Sequence, residues 1–193
     1  MLRKRKTLRL KGYDYSTEGS YFVTICVKDR ECLLGNVVDS LVILSNVGRI
    51  IKTAWGRLPN RFPNIGLEEF VIMPNHVHGI VTIVGAPFMA PDERGRGTVA
   101  IPSGMMDQKG ATRLASAQKR VNRAPTLGEI VRTFKALTTH KIHLAGITRF
   151  RWQHNYFERI ICDEQELFEV RQYIEQNPLK WDLDPENPFC KRT

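Results

Sequence analysis

Hydrophobic residues follow two different periods along this chain. Tyr21-Phe-Val-Thr-Ile-Cys-Val-Lys28 is β-branched and aromatic, the composition of a strand. A weaker hairpin is expected over 32–44, turning near Asp39-Ser40. Val47, Ile50, Ile51, Ala54 and Leu58 then recur at helical spacing, with Ser45 or Asn46 as cap and Pro59 as stop. Leu67–Met73 and His76–Val84 are apolar runs parted by Pro74-Asn75, which predicts two strands joined by a turn or bulge. Thr126-Leu-Gly-Glu129 is a capping box, opening a helix with Leu127, Ile130, Val131, Phe134 and Leu137 on one face. Arg151–Cys162 reads as a further strand. Asp163-Glu-Gln-Glu166 caps the last helix, Pro178 ends it, and 179–193 follows as a tail. The order β, hairpin, α, β, β, α, β, α predicts an α+β domain, an antiparallel sheet with helices packed on one face.

The chain has 193 residues, 42% of them hydrophobic and 25% charged, an ordinary globular composition for a single domain. No apolar run reaches the length of a membrane span. Basic residues open the chain without an apolar stretch behind them, which argues against a signal peptide. Cys26, Cys32, Cys162 and Cys190 form no C-x-x-C pair and no zinc spacing, and read as reduced thiols of a cytoplasmic protein. Residues 86–125 carry no apolar period and read as a long flexible insertion. No internal repeat is visible.

Charge changes the picture once it is located. The net charge is +9, yet the excess lies in two segments. Residues 1–11 hold six Lys/Arg and no acid, and 86–125 hold seven against three acids. The rest of the chain carries 16 basic and 17 acidic residues. A neutral body with basic arms suits a polyanion, because each cation near a phosphate releases counterions. Plain solubility is the blander explanation.

Two constellations carry candidate chemistry. In Met73-Pro74-Asn75-His76-Val77-His78, residues two apart on a strand share a face, so both imidazoles can converge on one metal ion. Two polar side chains bonded to backbone at a strand end satisfy the same pattern. In the last helix Leu167, Val170 and Ile174 form a buried face, with Tyr173 at its edge and Asn177 four residues on. Taken alone, Tyr173 also fits a packing residue, and Asn177 before Pro178 a helix end.

Val71-Ile72-Met73-Pro74-Asn75-His76-Val77-His78-Gly79-Ile80 resembles the signature of the HUH transposases that use a single tyrosine. Trp152-Gln153, Tyr156-Phe157-Glu158 and Tyr173-Ile-x-x-Asn177-Pro178 are similar to the C-terminal half of the REP-associated branch of that family. So is the entry from Tyr13-Asp14-Tyr15 to Tyr21-Phe-Val-Thr-Ile. The resemblance runs from about residue 9 to about 188, apart from 86–125. It implies a ferredoxin-like fold, Tyr173 as nucleophile, and His76, His78 and Asn177 as ligands of a divalent metal, Mg²⁺ or Mn²⁺. It also implies cleavage and rejoining of single-stranded hairpin DNA through a 5′-phosphotyrosine, by a monomer rather than a homodimer. Tyr156 is the competing nucleophile. Trp152, Tyr156 and Arg159 are expected to hold single-stranded bases. Arg132 and Lys135, with Arg3, Lys4, Arg5 and Lys6 of the arm, are expected phosphate contacts.

Two other functions fit fewer of these residues. A silent relative that only binds hairpin DNA would have no need to keep His76, His78 and Tyr173 together. A zinc hydrolase lacks a third acidic or histidine ligand at a matching spacing.

Overall fold

Alternation along the first strand decides the layout. The computed structural model describes residues 13–84, 125–184 and 186–188. The arm residues Arg3, Lys4, Arg5 and Lys6, and nearly all of the expected 86–125 insertion, lie outside these residues. In β1 (Gly19–Cys26), Tyr21, Val23 and Ile25 point to one side of the sheet, and Phe22, Thr24 and Cys26 to the other. Strand β5 (His76–Ile83) repeats the division: Val77, Val81 and Ile83 join the first side, while His76, His78 and Ile80 face the second.

Four strands form one antiparallel sheet in the order β4-β5-β1-β6, with β4 at Ile65–Ile72 and β6 at Phe157–Ile161. Helix α1 (Asn46–Gly56) crosses over between β1 and β4, and α3 (Leu127–Leu144) between β5 and β6. Ranked by chain order the strands run second, third, first, fourth, the βαββαβ arrangement of a ferredoxin-like fold. The expected α+β class therefore holds.

The helices open where the local chemistry predicts. Ser45 accepts from Gly48 N at 3.1 Å and caps α1. Thr126 and Glu129 close both halves of the capping box of α3. Asp163 accepts from Glu166 N at 2.7 Å to cap α4 (Glu164–Gln176). The hairpin of β2 (Gly35–Val38) and β3 (Leu41–Leu44) turns at Asp39-Ser40, both at positive φ, as a two-residue turn of matching twist requires.

Four expectations need correction. Helices α1 and α3 pack together on one face, as expected, but α4 covers the opposite face with Leu167, Val170 and Ile174 against Phe22, Ile80 and Ile161. A helical stripe states that a face is buried, not which side of the sheet buries it. Pro59 does not merely stop α1; it sits in the first turn of a short second helix, α2 (Leu58–Arg61). Leu137 is partly exposed, and Thr138 and Ile142 complete the buried face of α3 instead. Only Phe157–Ile161 of the expected 151–162 strand is sheet, and Trp152 keeps a single bridge to Val27.

Candidate active site

The second face of the sheet gathers polar groups where the first gathers core. Met73 N donates to His76 O at 2.8 Å, which closes the turn between β4 and β5 and delivers both histidines onto β5. Gly79 lies next to them for a steric reason. A Cβ there would come within 2.6 Å of the Trp55 ring, which stacks on Phe70 across the strand. A bare backbone lets the core reach directly behind the site.

The histidine tautomer follows from its neighbours. Asn75 is fully buried, and its Nδ2 donates to the carbonyls of Arg30 and Glu186 at 3.1 and 2.6 Å. That orientation turns Oδ1 to His76 Nδ1 at 2.8 Å, so Nδ1 must carry the hydrogen and Nε2 is bare. His78 Nδ1 meets the Thr24 hydroxyl at 2.8 Å; when that hydroxyl accepts, the second Nε2 is bare too. The two Nε2 atoms stand 2.9 Å apart. Burial, then the His78 charge, holds His76 well below the ordinary histidine range, and burial takes His78 down to about 3. Both rings are neutral at physiological pH.

A third group was missed by the sequence reading. Asp184 Oδ2 lies 3.8 Å from His76 Nε2, and ligand atoms of His76, His78 and Asp184 all fall within 4.8 Å of one another. The chain reaches it by a 3-10 turn at Pro178–Leu183, and Glu186 N donates to Asp184 Oδ1 at 2.7 Å. Glu186 is itself fixed by Arg30 Nε at 2.9 Å. Burial pushes the Asp184 carboxyl up, assisted by the Glu186 charge. No periodicity marks this residue; the only signal is an acid within the segment after Pro178, which the zinc-spacing argument set aside.

Tyr173 projects from α4 to the same place. Its hydroxyl lies 3.5 Å from His78 Nε2, and its ring meets His78 at a centroid distance of 5.3 Å. Burial and the Asp184 charge raise the phenol above its ordinary value, while a hydrogen bond from Asn177 acts the other way. Asn177 is buried and Oδ1 meets no donor among the described residues. The bare Nε2 of His76, the facing Nε2 of His78, a buried carboxylate and an orphaned amide oxygen fit a divalent cation.

The helix bearing Tyr173 is clamped to the sheet. A register shift between Leu67 and Phe70 interrupts β4 at Glu68-Glu69. Successive strand residues normally face opposite ways, but here both carboxylates reach Arg171, Glu69 at 3.1 Å. Thr82 Oγ1 also donates to Glu68 at 2.7 Å.

The remaining expected residues lie outside the histidine cluster. Trp152 is buried against Phe134 and Phe150, and its Nε1 donates to Thr138 Oγ1 at 2.9 Å, so it has no open face for a base. Lys135 donates to the carbonyls of Gln153, His154 and Asn155 at 2.8, 3.2 and 3.0 Å. Burial lowers it to about 8, so it serves as a local pin rather than a phosphate contact. Tyr156 is half-buried with its ring beneath Lys135 Nζ, away from the histidine pair. Arg132 is exposed on α3, across the sheet from Tyr173. Arg159 pairs through Nε with Glu166 at 2.6 Å. Cys26 lies in register with His76, but burial and then Glu186 raise it to about 12, which keeps it a thiol. Cys26, Cys32 and Cys162 are free. Among the described residues no helix is long and apolar enough to cross a membrane.

The sequence is 38% identical over 183 residues to an uncharacterized protein of Haemophilus influenzae, covering 95% of this chain and 93% of that one. No protein-family model matches. The solved structure of a REP-associated tyrosine transposase bound to a REP hairpin is 19% identical, with a TM-score of 0.47, over 89% of this chain and 73% of that one. A likeness at that level assigns nothing to this chain.

Proposed function

We propose that this chain, which belongs to the same family as the uncharacterized Haemophilus influenzae protein, is a metal-dependent HUH transposase of the cytoplasm. It cleaves and rejoins single-stranded hairpin DNA through a 5′-phosphotyrosine. One observation carries the reading: the Tyr173 hydroxyl meets His78 at 3.5 Å, at the point where His76, His78 and Asp184 converge. The HUH motif at His76-Val77-His78 and the tyrosine motif lie far apart in sequence and belong to β5 and α4, yet they meet.

His76, His78, Asp184 and Asn177 would hold the cation. When bound, it polarises the scissile phosphate and offsets charge that develops in the transition state. Two nitrogens among the donors make Mn²⁺ at least as suitable as Mg²⁺.

The chain's own residues do the rest. Asn75 and Thr24 fix the two rings by bonding their Nδ1 atoms. Asn177 donates to the phenol and steadies its oxygen. Tyr173 Oη attacks phosphorus, the new O–P bond forms, and the bond to the 3′-oxygen breaks. The phenolic proton is released and the departing 3′-oxygen takes one up. The bond energy is retained in the phosphotyrosine, so a 3′-hydroxyl can reverse the step without ATP.

Incubation with hairpin DNA and Mn²⁺ tests this reading on a denaturing gel. Wild type should give a covalent protein–DNA band, Tyr173→Phe none, and Tyr156→Phe a normal one. A band that survives Tyr173→Phe and disappears in Tyr156→Phe would reverse the nucleophile. No band from wild type on any hairpin that it binds would leave a DNA-binding module.

A further inference from the structure

Between β6 and α4 a cavity of about 300 Å³ opens beside the site. We infer that it is a subsite for one unpaired nucleobase adjoining the phosphate that Tyr173 attacks, an inference that rests on the function proposed above.

Continuity with the site argues for a part of the same substrate. Tyr173 lines the cavity with one side of its ring and meets His78 with its hydroxyl. Phe22 lies beneath both, stacked on His78 at 5.3 Å and set edge-on to Tyr173 at 5.9 Å. A group in the cavity is therefore separated from the attacking oxygen by a single aromatic ring. A nucleotide spans that distance between its phosphate and its base.

The chemistry of the wall selects a flat, weakly polar occupant. Phe22, Val170, Phe157 and Tyr173 supply apolar surface. Phe157 is 47% exposed and Tyr173 44%, so two rings on the same cavity are half-bare. Phe157 meets Phe22 at 68° rather than in a stack, and no other ring is stacked on it among the described residues. Bases stack on such rings whatever their identity.

The rim supplies the polar end. Arg159 Nε is held by Glu166 at 2.6 Å, and Glu166 Oε2 also accepts Cys162 N at 2.8 Å. This fixes a guanidinium at the edge of an apolar slot beside Glu166 and Glu169, so the rim offers both donors and acceptors to the polar edge of a stacked base. Strand β6 is one of the two edge strands of the sheet, so a strand of DNA can enter without displacing another strand.

The test uses the whole chain and hairpin oligonucleotides in which 2-aminopurine is moved one position at a time, without added metal. Its emission should be quenched most at one position, next to the bond at which the covalent band forms when Mn²⁺ is supplied. Phe157→Ala should abolish that quenching and raise the dissociation constant about tenfold. Phe157→Trp keeps a ring on the wall and should restore both. Equal emission and affinity for wild type, Phe157→Ala and Phe157→Trp at every position would overturn the inference. A covalent band with no Phe157-dependent position removes the subsite and leaves the transposase reading. A Phe157-dependent position without any covalent band does the reverse.

Discussion

The two faces of one sheet are built from alternate residues of the same strands, yet they do opposite work. On the face covered by α1 and α3, Tyr21, Val23, Ile25, Val77 and Val81 meet Ile51, Trp55, Ile130 and Phe134 in one extended core. On the face covered by α4, six buried apolar residues suffice to seat the helix, and His76, His78, Asp184 and Asn177 occupy the space beside them. A second core of equal size would leave no room for buried polar groups. The fold can carry an unfavourable, dehydrated cluster on one side because the other side supplies the stability.

Three experiments bear on that division, in order of effect. Replacing His76 or His78 by Ala should remove the covalent band, a fall of about a thousandfold or more, and with it tight Mn²⁺ binding read by electron paramagnetic resonance. Chemical denaturation of the same variants should move less than for an apolar core residue, because the cost of dehydrating each imidazole offsets the packing it provides. If either variant is fully active at saturating Mn²⁺, the polar cluster has some other purpose. Phe134→Ala, on the opposite face, should cost about 3–5 kcal/mol in urea denaturation. An unchanged midpoint would mean that the two faces share the load more evenly than their packing indicates.

The smallest effect, taken per pH unit, is one of pH. The folded metal-free protein holds His78 at about 3, while the unfolded chain takes up that proton near 6.5. The unfolded state therefore binds more protons below 6.5, and stability should fall from there towards pH 3 by up to about 1.4 kcal/mol per unit for each such ring, His76 acting in the same direction. His76→Ala and His78→Ala should each lose only part of this slope, because burial holds both rings below the ordinary histidine range. A flat profile from pH 6 to 4 would contradict the burial of these rings.

Local chemistry was the legible part of the molecule. Asp39-Ser40, Ser45, Thr126 and Asp163 each name a turn or cap that the backbone adopts, because the signal and the structure lie within four residues. The pair His76 and His78 was legible for the same reason, since strand period alone puts both on one face. Three features depend on distant parts of the chain. Trp152 has a strand's aromatic character, but its indole found Thr138 and the interior. Lys135 has the appearance of a surface cation, but three carbonyls of the 153–155 segment claim it. Asp184 comes to the histidines on a segment that Asn75 and Arg30 tie down through Glu186. Pattern along a chain shows what each residue favours locally, and these three are decided by partners that pattern does not name.

The bulge in β4 has a consequence for traffic through the site. With Glu68 and Glu69 both gripping Arg171, the helix that bears Tyr173 is bolted to the sheet two residues from its hydroxyl. On the proposed function, a Tyr173 joined to one end of a DNA strand would stay at the sheet rather than carry that end across the molecule. The incoming 3′-end would travel to the phosphotyrosine, with the nucleic acid as the moving part and the protein as the anvil.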